Sequence, residues 1–198
     1  LKSWHHAFTR HGATVDLIPQ DRDLGGYALV VLPSLPLLRE DLVDRLEAYV
    51  RQGGVLCATA LLGMNTEGSD QILARLFGIS APRWECAAEG GVAWHGAGMN
   101  GLAGDVIQPA AICGATAAAR FSDRPSPGDI AVSEYALGEG KSIFCGFLTD
   151  SSGDCLTGWL MRMAGLHQGG ESGIQEESVR WMHAGGTIDS VKVVHPVQ

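Results

Sequence analysis

Tyr27-Ala-Leu-Val-Val-Leu-Pro-Ser-Leu-Pro-Leu-Leu38 opens the stretch that decides the fold, and Gly53-Gly-Val-Leu-Cys-Ala-Thr-Ala-Leu-Leu-Gly63 closes it. Residues 27–32 are a continuous apolar run, of the kind buried on both faces of a sheet. Between the two quoted runs, residues 39–52 place Leu42, Val43, Leu46, Tyr49 and Val50 on one stripe at helical spacing. Gly53-Gly54 stops that helix, and residues 55–60 form a second buried run. Strand, amphipathic helix and strand make one βαβ unit, the signature of a parallel sheet. Open parallel sheets hold their ligands just past the carboxyl ends of the strands. Here those places carry Pro33-Ser34-Leu35 and Ala60-Leu61-Leu62. Ser34, Thr59 and Leu61 are therefore candidate lining residues of a strand-end crevice, with Asp150 joining them after a later strand.

Working outward, residues 2–11 read as a helix with Trp4, Ala7 and Phe8 on one face, ended by Gly12. Residues 13–19 read as a strand, and residues 70–77 as a short amphipathic helix ended by Gly78. Beyond Ile79, Gly and Ala become dense and the predicted strands short, at 91–95, 105–109 and 115–121. Residues 130–137 and 141–147 flank Gly138-Glu-Gly140 and read as a hairpin, and 155–164 as a last helix. The predicted class is α/β: a doubly wound, mostly parallel, flavodoxin-like sheet in which residues 13–19, 27–32 and 55–60 run parallel. This domain occupies residues 1–166. Residues 167–177 are rich in Gly, Ser and Glu and read as a linker. Residues 178–183 and 187–194, about Ala184-Gly-Gly186, read as a C-terminal β-hairpin. A lone hairpin is marginal in water, so this tail either packs on the main body or begins a small β domain. The first residue, Leu1, falls inside a helical pattern, which reads as a piece of a longer polypeptide.

Composition narrows the function classes. The 198 residues are 45% hydrophobic and 18% charged, as in a globular chain. A net charge of −8 argues against nucleic acid, whose phosphates need a basic stripe. No apolar run approaches the roughly 18 residues that cross a membrane, and no signal-peptide pattern is visible. The five cysteines are odd in number and form no Cys-x-x-Cys. Cys57 and Cys145 sit in apolar runs, where cysteine behaves as a small hydrophobe. Free thiols point to a reducing, cytoplasmic compartment.

Several patterns invite chemistry. Gly96-Ala-Gly-Met-Asn-Gly101 matches Gly-x-Gly-x-x-Gly, but a dinucleotide fingerprint needs a helix after it, and here a turn and a strand follow. It reads as a Gly-rich loop, with no cofactor expected. His5 and His6 are adjacent and diverge on a helix, and no His-x-x-x-His spacing occurs, so no metal site is expected. Asp150-Ser-Ser-Gly-Asp154 reads as a helix N-cap. A class I glutamine amidotransferase would hold a nucleophilic Cys at a strand-to-helix elbow and a His-x-Glu after a late strand. The elbow here, Thr59-Ala-Leu-Leu-Gly63, keeps the glycine and lacks the sulfur. Cys57 falls inside the strand, and Leu148-Thr-Asp150 stands where His-x-Glu belongs. No catalytic residue is assigned. Trp84 and Trp94 have the flat faces that stack on sugar rings; the preferred reading packs both in the core.

Four pieces carry a family resemblance by their order: Trp4 through Ala7-Phe8 to Gly12-Ala-Thr-Val-Asp16; Gly26 to Leu38; Leu46-Glu-Ala-Tyr-Val-Arg-Gln-Gly-Gly54 on to Gly63; and Gly138-Glu-Gly-Lys141 with its strand to Gly146. Across residues 4–166 they resemble the central trimerisation domain of glycoside hydrolase family 42 β-galactosidases. The chain departs from that pattern after Gly63, where Met64-Asn-Thr-Glu67 leads directly into the helix in place of an acidic stretch and a longer Gly/Pro segment. The resemblance implies an amidotransferase-like fold without amidotransferase chemistry, serving assembly. Its implied partners are copies of itself, as a trimer, and the catalytic (β/α)8 barrel of a parent chain. The family's catalytic glutamates lie in that barrel, so none is carried over. Two competing readings remain: a divergent amidotransferase-like hydrolase using Ser34, Thr59 or Asp150, and a sugar-binding module.

Overall fold

The computed structural model describes residues 2–86, 91–104, 106–123, 127–148, 153–166 and 190–196. The first half follows the sequence reading: α1 (Lys2–Arg10), β1 (Ala13–Pro19), β2 (Leu29–Leu32), α2 (Glu40–Arg51), β3 (Val55–Thr59) and α3 (Ser69–Phe77). Short strands come next: β4 (Ile79–Ser80), β5 (Glu85–Cys86), β6 (Val92–Gly96), β7 (Met99–Ala103), β8 (Val106–Ile107), β9 (Ala111–Ile112) and β10 (Thr116–Phe121). The chain then forms β11 (Ile130–Leu137), β12 (Gly140–Cys145), α4 (Gly153–Met163) and β13 (Ser190–Pro196).

Nine strands make one mixed sheet in the order β1-β13-β2-β3-β12-β11-β10-β6-β7, and β4 with β9 and β5 with β8 form two small ribbons. The expectation of a mostly parallel sheet needs correction. Only β2 with β3 and β3 with β12 pair in parallel; every other neighbouring pair is antiparallel. The reason is connection length. Parallel neighbours need a long crossover, supplied here by α2 between β2 and β3, whereas tight turns join β6 to β7 and β11 to β12 and force them antiparallel. The strands at 13–19 and 27–32 do run the same way, but β13 lies between them, antiparallel to both. The hairpin expected over residues 178–194 lies largely outside the described residues.

Helices cover both faces of the central strands, and period-two alternation sorts the core accordingly. Val30, Leu32, Leu56, Ala58 and Phe144 meet Leu42, Val43, Leu46 and Val50 of α2 and Ile72, Leu73, Leu76 and Phe77 of α3. Leu29, Val31, Cys57, Ile143 and Cys145 meet Trp4 and Phe8 of α1 and Leu156, Trp159 and Leu160 of α4. Two glycine motifs far apart in sequence meet at the amino end of this core. The Gly138–Gly140 turn lies against the end of α2, with Glu139 N donating to Arg51 O (3.1 Å) and Lys141 N to Gly54 O (3.2 Å). A Cβ at Gly140 would stand 2.2 Å from Val50 O, so nothing larger fits.

The Gly96–Gly101 motif is a hairpin turn. Gly96 pairs with Met99, and Ala97 and Gly98 both take positive φ (47° and 74°), the conformation of a two-residue turn that matches strand twist. Its second half is strand β7, which the loop reading did not anticipate. Trp94 is buried and stacks on Phe147 with ring centroids 4.9 Å apart. Trp84 is 49% exposed, against the expectation that it joins the core. Among the described residues no helix is long and apolar enough to cross a membrane.

Candidate functional site

The strand-end crevice assembles from the loops that follow β2 and β3. Thr59, the last residue of β3, is buried, and its Oγ1 accepts from Ser34 N at 2.9 Å. Ser34 has φ +48° and Leu61 φ +69°, left-handed values that cost a non-glycine residue roughly 1–2 kcal/mol. Leu61 thus adopts a sharp elbow immediately beyond a buried parallel strand, with an aliphatic side chain at its apex. Its backbone N–H donates to Gln108 Oε1 (2.8 Å), and Gln108 Nε2 donates to Ala81 O (2.9 Å). Gln108 is itself anchored, its N–H bonded to Gly146 O at 2.7 Å beyond β12. Three further bonds tie the two loops together: Gly63 N to Leu35 O (2.9 Å), Asn65 N to Pro36 O (2.9 Å) and Leu38 N to Thr66 Oγ1 (2.7 Å).

The structure therefore brings Ser34, Thr59 and Leu61 together at one end of the sheet, while Asp150 lies outside the described residues. The Thr59 oxygen is occupied by the Ser34 amide, and the Leu61 amide points at Gln108. Sequence reasoning missed Gln108. Its only signal was a lone amide side chain between Ile107 and Pro109.

The two cysteines nearest this end are packed inward. Cys57 and Cys145 lie side by side on β3 and β12 with Sγ atoms 3.9 Å apart, both fully buried. Burial, reinforced by the Cys145 sulfur, pushes the Cys57 thiol well above its usual pKa. A thiol held protonated is a poor nucleophile. Elsewhere, His95 Nδ1 and Ser122 Oγ approach to 2.6 Å, exposed on the β6–β10 flank. No group of three or more metal-ligating side chains occurs among the described residues. A cleft of about 660 Å³ opens at the opposite, amino end of β2 and β3, lined by residues that include Asp21, Asp23, Tyr27, Arg45 and Tyr49.

Comparison with known proteins gives the fold its place. Residues 1–167 match the family described as the beta-galactosidase trimerisation domain. The β-galactosidase GanA of Bacillus subtilis is 36% identical over 67 residues, which are 34% of this chain and 10% of GanA. A catalytic mutant of Gan42B, a GH42 β-galactosidase from G. stearothermophilus, superposes with a TM-score of 0.75 at 24% identity, over 83% of this chain and 25% of that one. The polyextremophilic β-galactosidase of the haloarchaeon Halorubrum lacusprofundi superposes with a TM-score of 0.72 at 26% identity, over 82% of this chain and 26% of that one. The chain thus covers a small part of the relatives it matches. A family match running over residues 1–167 of 198 means that the chain belongs to the β-galactosidase trimerisation domain family.

Proposed function

We propose that this chain is the non-catalytic assembly domain of a β-galactosidase-like glycoside hydrolase, holding copies together as a trimer and carrying the catalytic barrel of its parent chain. The family match over residues 1–167 carries the reading. The elbow geometry supports it: the apex is Leu61, and the neighbouring hydroxyl and amide are used internally. We read the parallel centre β2-α2-β3 and the left-handed elbow after β3 as the remnant of an amidotransferase-like, flavodoxin-like fold whose chemistry has been lost. Residues 1–166 form the assembly unit in this proposal, and residues 167–198 a linker and β tail whose last strand is lent to the sheet. Its five free thiols suit a reducing, cytoplasmic compartment.

Sedimentation across the micromolar range tests the proposal. Reversible association to a trimer is expected, together with no turnover of a nitrophenyl galactoside and no ammonia release from glutamine. A monomer at every concentration, or turnover by this chain alone, overturns it. The exposure of Trp84 favours sugar binding as a second reading. Quenching of tryptophan fluorescence by galactose, abolished in Trp84→Ala, would support that reading.

A further inference from the structure

β13 enters the sheet from the end opposite to the one where α4 leaves it. α4 follows β12 and finishes at the amino end of the parallel centre. There Lys141 Nζ donates to Met163 Sδ at 3.7 Å, and Lys141 pairs with Val55, the first residue of β3. Ala164 lines the same cleft as Ala28 and Gly54, the residues just before β2 and β3. A strand entering from that end would run parallel to β2, as in a βαβ unit. β13 runs the other way. Ser190 pairs with Pro19 at the carboxyl end of β1, Lys192 pairs with Val31, and Pro196 finishes beside Ala13. A path from Leu166 to Ser190 therefore has to return along the sheet by about 20 Å, the rise of a strand of this length. Within one copy that path passes outside the helices, because α1 and α4 cover one face of the sheet and α2 and α3 the other.

The slot of an adjacent copy is no harder to reach. Residues 167–189 join α4 to β13, and a chain of that length extends to at most about 80 Å. That is about twice the width of a domain of this size, roughly 40 Å. The slot between β1 and β2 is the same in every copy, so exchange keeps every main-chain bond that β13 makes. Its cost is the entropy of bringing copies together, and copies already held in an assembly have met that cost. Resting on the assembly reading above, we propose that β13 is exchanged between copies, each lending residues 190–196 to the β1–β2 slot of its neighbour. The contact is heterologous, the kind that closes into a ring, and main-chain pairing supplies its energy.

Val15 and Val194 are Cα partners across β1 and β13. Full-length chains carrying only Val15→Cys and chains carrying only Val194→Cys are co-expressed, with the exposed Cys86, Cys113 and Cys155 replaced by Ser. The purified oligomer is oxidised with copper–phenanthroline and run on a non-reducing gel. Exchange predicts a covalent pair made of one chain of each kind, and none from either single variant expressed alone. The double variant Val15→Cys/Val194→Cys should then give covalently linked copies. If β13 pairs within its own chain, the mixture gives no cross-link and the double variant gives an internally bonded single chain. That result overturns the exchange and leaves the assembly reading standing. Absence of a bond in both samples also overturns it, because β13 would then not pair with β1. Cross-linking of a single variant expressed alone overturns it as well, since the copies would then meet outside the slot. A wild-type monomer in sedimentation overturns both this proposal and the reading on which it rests.

Discussion

Thr59, Gln108 and Cys57 each hold a polar atom in a place where water is excluded, and each answers differently to substitution. Thr59→Val keeps the shape of the side chain and removes the acceptor of the Ser34 amide. The expected loss is about 1–3 kcal/mol of unfolding free energy, the cost of a stranded donor. Gln108→Leu strands two partners, Leu61 N and Ala81 O, and should cost more than Thr59→Val in the same urea titration. At Cys57 the raised pKa ties stability to pH. Below about pH 8.5 the thiol is protonated in both states and its contribution is full. Above that the unfolded chain releases the proton while the folded chain keeps it, so stability falls as pH rises. Tyr49 acts in the same sense from about pH 10, because burial raises the pKa of its phenol, whose O–H donates to the Tyr27 and Val55 carbonyls. The urea midpoint should therefore drop steadily above pH 8.5, and less so in Cys57→Ala. An aromatic disulfide reagent at neutral pH should label Cys86, Cys113 and Cys155 rapidly, leaving Cys57 and Cys145 to react only on unfolding. Rapid labelling of Cys57 in the folded chain would contradict the packing described here.

At the scale of elements, two kinds of joint hold the helices to the sheet. One is steric: the Gly138–Gly140 turn presses on the end of α2 so closely that Gly140→Ala drives a methyl into Val50 O and Gly54 O. That overpacking should cost about 1–3 kcal/mol, whereas an alanine at Gly12, where a Cβ meets no atom within 4 Å, bears only the cost of its φ of +78°. The other joint is ionic. Arg75 on α3 reaches Glu40, Asp44 and Glu47 of α2, which raises the already high pKa of its guanidinium. Arg75 is 39% exposed, so solvent screens the cluster. Arg75→Ala should lower stability by about 1 kcal/mol or less, with the difference shrinking in high salt. The elements themselves were legible from sequence wherever periodicity was strong. The apolar stripe of α2 and the four-residue run of β2 left no other reading. β7 was not legible, because Met-Asn-Gly-Leu-Ala is Gly-bearing and carries little strand propensity; pairing with β6 across a tight turn makes it a strand.

For the whole molecule, the largest departure from expectation is β13 between β1 and β2. It pairs with seven residues of β1 and three of β2, so it closes what would otherwise be two open edges. Ending the chain at Leu166 removes that strand. The truncated chain should unfold at a lower denaturant concentration and aggregate more readily, since an open, apolar β2 edge is a template for other chains. A truncated chain as stable as the whole would mean that β1 can pair directly with β2, which its direction permits.

Sequence by itself determined the βαβ centre, the two faces of the core, the absence of sulfur from the elbow and the family. Each of these rests on local pattern: apolar runs, helical spacing, the identity of the residue at one turn. Only the tertiary structure decided the order of the strands, the antiparallel majority and the position of β13, because pairing between distant strands depends on which edges remain open after the local units form. The same holds at the crevice. The sequence placed Ser34, Thr59 and Leu61 at strand ends, but that their polar atoms turn inward required Gln108, a residue 47 positions beyond the elbow whose reach to Leu61 exists only once β3 and β12 lie side by side.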